Sequence, residues 1–482
     1  MTHPSNSRPT AALRQGTHAG HRLRPVEWVA VIHVGILLLG SAWAFGGGAT
    51  WARTLIAVWG SLSVFILVAA IRSRLHRGEA VRQPLRWLGP WLGFNLLVLL
   101  SCLNPSFSAQ TFSGQSLMAF SGPAHPALPS TANARTSLEH LWLLDALYLS
   151  AFNLLLTVRR RRVLRALLAV AVGNAVVLSV FGTFQKLGSD GLFFGLVPSP
   201  NARYFATFVY ANHWAAFVVL MLAACVGLLI FYRRRNAEVH LAASLLPLGV
   251  LGLLLMAITP LIAGSRAGTL LVIFLLAAGA AQFLLELRRN RRTAGQSTAG
   301  PLLALLAFVV LAGGGAIVLG RASIRERWQD TSAQWRSGLL GERLTLYDDT
   351  RRIAAAQPGF GWGLGSFGQV LQLQRPRPLE DNRQYEHSYV DAHSDWLQSL
   401  AEVGFVGTLL LILCVAWPLL GSQALRHAGS LPAYLLGGCG LITLYAAVEF
   451  PFGNPAVVIA FWTCFFSAIQ YVRLSSRPRT RG

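Results

Sequence analysis

The run WAAFVVLMLAACVGLLIFYRRR, Trp214 to Arg235, decides the fold class. No charge interrupts it from Trp214 to Tyr232, long enough as a helix to cross about 30 Å of hydrocarbon, and three arginines then close it. A surface helix of a soluble protein shows a polar face, and this one has none. Apolar stretches of the same kind recur near 28–47, 52–71, 85–103, 141–158, 163–184, 240–260, 268–286, 301–320, 404–420, 432–448 and 456–472. With 54% hydrophobic and only 12% charged residues, the chain reads as an all-α polytopic membrane protein with about twelve transmembrane helices.

The net charge of +22, from 41 basic against 19 acidic residues, raises the question of nucleic acid. The positions of the arginines answer it. They cluster at Arg72, Arg74, Arg77, Arg82 and Arg86, at Arg159 to Arg162, at Arg233 to Arg235 and at Arg288 to Arg292, which are alternate connections between the spans. Alternation puts them all on one side, and the positive-inside rule makes that side the cytoplasm, with both termini there. Nucleic-acid binding is therefore not expected. The first span is too long, and lacks the cleavage signature, to be a signal peptide. Cys102, Cys225, Cys414, Cys439 and Cys464 all fall inside spans and read as small packing residues rather than a disulfide or zinc framework.

The organisation expected is a basic cytoplasmic tail at 1–27, a membrane domain with nine spans at 28–320, a large outer loop at 321–403, three further spans at 404–472 and a basic cytoplasmic tail at 473–482. An outer loop at 104–140, rich in Ser, Pro, Ala and Thr, reads as a surface cover. The loop from Arg321 to His393 differs in kind, because 11 of the 19 acidic residues lie in it or just beyond it. Its aromatics and its helical spacing at Leu344, Tyr347 and Ile353 predict a folded, functional segment.

Three motifs carry candidate chemistry. Gly264-Ser265-Arg266-Ala267-Gly268 places an arginine on the side poor in positive charge. It reads either as a snorkelling or capping residue or as an anion-binding group whose small neighbours let a ligand approach. The second motif is an amphipathic helix, Gly341-Glu342-Arg343 to Arg352, followed by a glycine run with Gly361, Gly363 and Gly365. Asp348 and Asp349 lie three to four residues before Arg351 and Arg352, the spacing of helical ion pairs, and salt bridges are favoured over a metal site. The third motif places His393 between Asp391 and Asp395 at the start of a helix that also carries Glu402 and leads into the tenth span. A helix N-terminus and nearby carboxylates suit a general base.

Taken in order, the Ser-Arg-Ala-Gly turn, the Arg-Leu helix before Pro358-x-x-Gly361-x-Gly363-x-Gly365-x-Phe367, and Ala392-His393-x-Asp395-x-Leu397-Gln398 to Gly407 resemble the O-antigen ligase and polymerase family. Asn212-His213 after Thr207-Phe208 is similar to a further family stretch. The resemblance covers about 205–410, with Ser394 where the family usually carries Asn. It implies a GT-C-like glycosyltransferase architecture in a bacterial inner membrane, a helical periplasmic loop and no cofactor or essential metal. It implies an undecaprenyl-diphosphate-linked glycan as donor and a lipid or glycan as acceptor. By the resemblance His393 is catalytic and Arg266 and Arg343 hold the donor diphosphate, with Asn212, Tyr347, Gly361, Gly363, Gly365, Asp391, Asp395 and Glu402 in support.

The residues point the same way. A departing diphosphate needs cations, and an acceptor hydroxyl needs a base. A ligase is the favoured reading and a polymerase the alternative. A transporter or flippase is disfavoured because the spans offer few ionisable residues, Asp145 and Glu449 being placed near span ends.

Overall fold

The computed structural model describes residues 25–112, 115–188, 191–235, 246–294, 340–374 and 389–475, with a few single positions between 310 and 325. It is mostly helical, with two small antiparallel hairpins. Among the described residues nine helices are long and apolar enough to cross a membrane, and two shorter apolar helices, Leu246–Ile262 and Ser430–Tyr445, stand beside them. The chain is thus a multi-pass, largely helical membrane protein. The ninth expected span, 301–320, lies outside the described residues but for those single positions, as do all of 326–339 and 375–388.

The chain runs through α1 (Pro25–Trp43), α2 (Thr50–Ser61), α3 (Ser63–Leu75), α4 (Arg82–Arg86), α5 (Gly89–Cys102), the hairpin β1–β2 (Phe107–Phe112, Gln115–Phe120), α6 (Ala134–Thr157) and α7 (Arg161–Gly188). A short hairpin, β3–β4 (Leu192–Phe193, Val197–Pro198), precedes α8 (Ala211–Arg235), α9 (Leu246–Ile262) and α10 (Arg266–Ala294). After these come α11 (Leu340–Ala356), α12 (Phe367–Gln374), α13 (Asp395–Gly421), α14 (Ala424–His427), α15 (Ser430–Tyr445) and α16 (Pro455–Ser475).

The helix quoted at the outset, α8, is buried on every side through most of its length, as is α16. Such a helix, apolar all round, forms the middle of the bundle. Small residues bring the neighbours close. A Cβ on Gly227 would meet Leu431 Cα at 3.1 Å and one on Gly438 would meet Ala223 Cβ at 2.6 Å, so α8 and α15 pack antiparallel almost backbone to backbone. Outward-facing apolar side chains such as Phe65, Phe184, Leu270 and Phe274 suit a lipid surround.

Helix direction and contacts place the arginine clusters at one end of the bundle. Buried Arg74 caps the end of α6 by donating to Leu156 O (2.7 Å) and Leu155 O (3.2 Å), and Arg159 pairs with Glu79. Such contacts satisfy the unpaired carbonyls at a helix C-terminus. The opposite end carries the starts of α2, α8, α10, α13 and α16.

Two expectations change. Asp145 is not near a span end. Helix α6 begins at Ala134 rather than 141, so Asp145 lies midway along it and accepts from Trp91 Nε1 (2.7 Å) and Asn95 Nδ2 (2.9 Å). A half-buried carboxylate satisfied this way ties two helices, α5 and α6, together. The segment 104–140 is more than a cover. Phe107 and Phe120 pack on Trp362, Ala132 N donates to Trp362 O (2.7 Å), and Ser137 Oγ donates to Leu364 O (2.8 Å). With Leu346, Ile353, Phe367 and Val370 these residues form a second core outside the bundle.

Candidate active site

Helix α11 buries Leu346, Thr350 and Ile353 against that second core, an i, i+4, i+7 face. Leu344, expected on the buried face, is 66% exposed. The register turns Arg343 and Tyr347, one turn apart, toward the bundle. Arg343 Nη2 meets Glu449 Oε1 at 2.9 Å, and Tyr347 Oη donates to His393 O at 3.1 Å. On the outer side of the same helix Asp348 pairs with Arg351 at 3.7 Å, the helical spacing read from the sequence.

Glu449, between α15 and α16, is the hub. Its carboxylate is almost fully buried, at 5% exposure, and serves three partners. Besides Arg343 it has His393 Nδ1 at 3.9 Å from Oε2 and Tyr210 Oη at 3.5 Å from the same oxygen. The histidine distance exceeds a hydrogen bond, and His393 Nδ1 is buried with no hydrogen-bond partner among the described residues. Burial pushes the Glu449 carboxyl up, but His393 and Arg343 outweigh it and hold it below its ordinary value. Arg343 responds in the other direction, burial lowering it and Glu449 raising it by more. Burial and then the Glu449 charge push the Tyr210 phenol up to about 12, so it keeps its proton. Asn212 Nδ2 donates to Tyr210 Oη at 2.9 Å, which places Asn212 one step behind the hub.

His393 has φ +52°, a left-handed conformation that costs a non-glycine residue of order 1–3 kcal/mol. Three neighbours enforce it. Tyr347 holds its carbonyl, Ser394 caps α13 by accepting from Leu397 N (3.3 Å), and Asp395 N donates to Glu449 O (3.2 Å). Serine and asparagine are both good caps, so Ser394 keeps the helix start where the family usually has Asn. The ring stands edge-on to Phe450, centroids 4.8 Å apart.

Of the acidic neighbours expected to tune His393, Asp395 and Glu402 hold backbone amides instead. Asp395 Oδ2 accepts from Phe452 N at 2.9 Å and ties α13 to the turn after Glu449. Asp391 is pushed up by burial, against a hydrogen bond from Gln398 and the charge of His393. Glu402 holds the glycine run by accepting from Gly365 N (2.7 Å) and Phe367 N (3.3 Å). Helix α13 breaks at Gly404 (φ +62°), and the freed backbone bonds the run through Trp362 N to Ala401 O (2.9 Å), Gly363 N to Glu402 O (2.7 Å) and Phe405 N to Pro358 O (2.8 Å). The amides of Gly361, Gly363 and Gly365 are thus engaged within the protein, which makes the run a scaffold rather than a phosphate cradle. Glu402→Ala strands two backbone donors at about 1–3 kcal/mol each. A clear fall in melting temperature is expected in detergent, read by intrinsic fluorescence; an unchanged midpoint would dismiss the clamp.

Arg266 is the first residue of α10, exposed, after a turn at Gly264 with φ +77°. Ser265 caps the helix by accepting from Gly268 N at 3.3 Å. Gly268 is small for a different reason from the one expected, since a side chain there would strike Ala215 of α8. Antiparallel packing puts Arg266 at the same end of the bundle as His393.

Next to His393 opens a pocket of about 570 Å³, walled by Phe45, Trp51, Arg53, Tyr210, His213 and Phe450 among others. Sequence reading named neither Arg53 nor Tyr210, and weighed Glu449 only as a span-end charge. The signal for Arg53 was present, since it is an arginine at the cation-poor end of an apolar span, the same anomaly as Arg266. Residues 251–412 match the family model described as O-antigen ligase, a stretch that contains Arg266, Arg343, His393 and Glu402 and stops short of Glu449. No curated protein matches the chain.

Proposed function

We propose, from the premise that residues 251–412 are an O-antigen ligase family domain in a multi-pass membrane protein, that the chain transfers a glycan from undecaprenyl diphosphate to a lipid or glycan acceptor at the periplasmic face of a bacterial inner membrane. The observation that carries the reading is the meeting of Arg343, His393 and Tyr210 on the buried Glu449, at the bundle end opposite the arginine clusters. By the positive-inside rule that end faces outward and both termini face the cytoplasm.

In the proposed reaction an acceptor hydroxyl attacks the anomeric carbon of the donor as His393 removes its proton. The carbon–oxygen bond to the diphosphate breaks, and the configuration inverts. Glu449 favours the imidazolium as it forms, because a carboxylate 3.9 Å away in a buried site gains by the new charge. Arg343 offers its remaining N–H groups to the leaving diphosphate while Glu449 keeps one of them, and Arg266 adds a second cation. Two guanidinium groups meet the charge that develops on the leaving group, so no metal step is invoked.

The test is a reconstituted assay. Purified chain in nanodiscs is given a synthetic undecaprenyl-diphosphate oligosaccharide and a candidate acceptor, and both released undecaprenyl diphosphate and extended acceptor are measured. Stoichiometric appearance of the two, unchanged by EDTA, is expected. Loss of transfer in EDTA that a divalent ion restores would overturn the metal-free mechanism, and absence of carrier release with every acceptor would overturn the transferase reading.

A further inference from the structure

Arg53 lies on the first turn of α2, in the wall of the pocket that His393 also lines. Its Nε donates to Gly47 O at 3.2 Å, which leaves the terminal N–H groups of a rigid fork for another partner. No carboxylate lies within ion-pair distance of it among the described residues. Most of the remaining wall is apolar, with Phe45, Trp51, Phe193 and Phe450. The half-buried guanidinium feels the charge of Asp391 but forms no ion pair with it, and its unspent N–H groups in an otherwise apolar wall favour an anion arriving with a ligand.

The two arginines proposed for the donor do not line this pocket. Arg343 reaches Glu449 from α11, and Arg266 stands at the head of α10. His393 therefore shares this pocket with Arg53, while the arginines assigned to the donor reach the site from other elements. The pocket is formed partly by Val197, Pro198 and Asn201, in the connection outside the bundle. Its volume falls in the range of small-ligand sites, about 300–1,000 Å³. Aromatic walls with one arginine and the two amides of Asn201 and Asn454 suit a sugar, whose C–H faces lie on rings while its polar groups need directed donors.

We infer that this pocket is the acceptor subsite and that Arg53 binds an anionic group, phosphate or carboxylate, carried on the acceptor sugar. The inference rests on the transferase reading for the word acceptor, and its anion selectivity is read without turnover.

Binding is measured on the full chain in nanodiscs by saturation-transfer NMR, with galacturonate, glucose 6-phosphate and galactose as probes, and separately with undecaprenyl diphosphate as donor-side probe. Wild type is expected to bind the two anionic sugars at least about tenfold more tightly than galactose, the scale of one charge-assisted contact. Arg53→Gln should abolish that preference, Arg53→Lys should restore part of it, and neither should change undecaprenyl diphosphate binding. His393→Ala should keep the preference, which separates failure of the pocket from failure of the chemistry. Equal binding of galactose and galacturonate by wild type would overturn the proposal. So would an Arg53→Gln variant, with wild-type melting, that loses undecaprenyl diphosphate and keeps galacturonate, since Arg53 would then belong to the donor.

Discussion

Replacing His393 by alanine is expected to lower the single-turnover rate of glycan transfer by about 10²–10⁴-fold while leaving undecaprenyl diphosphate affinity nearly unchanged, the signature of a lost general base. Glu449→Gln is expected to reach the same range by a different route. It removes the charge that favours the imidazolium and also frees Arg343, so turnover and donor affinity fall together. The pairing carries a pH signature as well. The folded state holds Glu449 below its ordinary value of 4.5, so its stabilising contribution is fully present above that value and is lost as the pH falls through the lowered one. Wild type should lose melting temperature steeply on acidification below about 4.5, and Glu449→Gln should lose less over that window. Wild-type turnover in His393→Ala, or in Glu449→Gln, would end the assigned mechanism.

Gly363→Ala is expected to be strongly disruptive for a single added methyl. The residue has φ +104°, and a Cβ there would lie 2.5 Å from Thr131 Cβ and 2.7 Å from its Cα. Thr131 is fixed, because its hydroxyl bonds Ser137 Oγ (2.8 Å) and accepts from Asn133 N (3.2 Å). Backbone strain of roughly 1–3 kcal/mol adds to overpacking of about 1–3 kcal/mol. A fall in melting temperature of about 5 °C or more is expected, together with loss of transfer, since Glu402 and the start of α13 share the same backbone ladder. Gly359→Ala is the control, with nothing within 4 Å of the added carbon, and should match wild type. Equal behaviour of the two variants would show that the ladder does not position the site.

Some of the site was legible because its signals are local. Arg343 and Tyr347 share a helix face at i, i+4, and His393 sits beside a helix start that Ser394 marks. The roles of the acidic neighbours were not legible, because Asp395 and Glu402 spend their oxygens on backbone amides of segments far away in sequence. Leu344 shows the limit even within one helix. Periodicity pointed to Leu344 with Tyr347 and Ile353, whereas the second core buries Leu346 and leaves Leu344 exposed. The comparison with the family model ends before Glu449, so that residue carried no motif to announce it.

The sequence alone determined that this chain is a largely helical multi-pass membrane protein and which connections gather the arginines, because long apolar runs and charge clusters act over one helix length and need no partner. Tertiary structure alone decided that Glu449 is the meeting point of Arg343, His393 and Tyr210, that Arg53 and His393 line one pocket, and that the segment 104–140 supports the glycine run. Those relations are set by which helices pack side by side, and α2, α8, α11 and the turn after α15 are brought together only by burying α8 and α16 at the centre of the bundle.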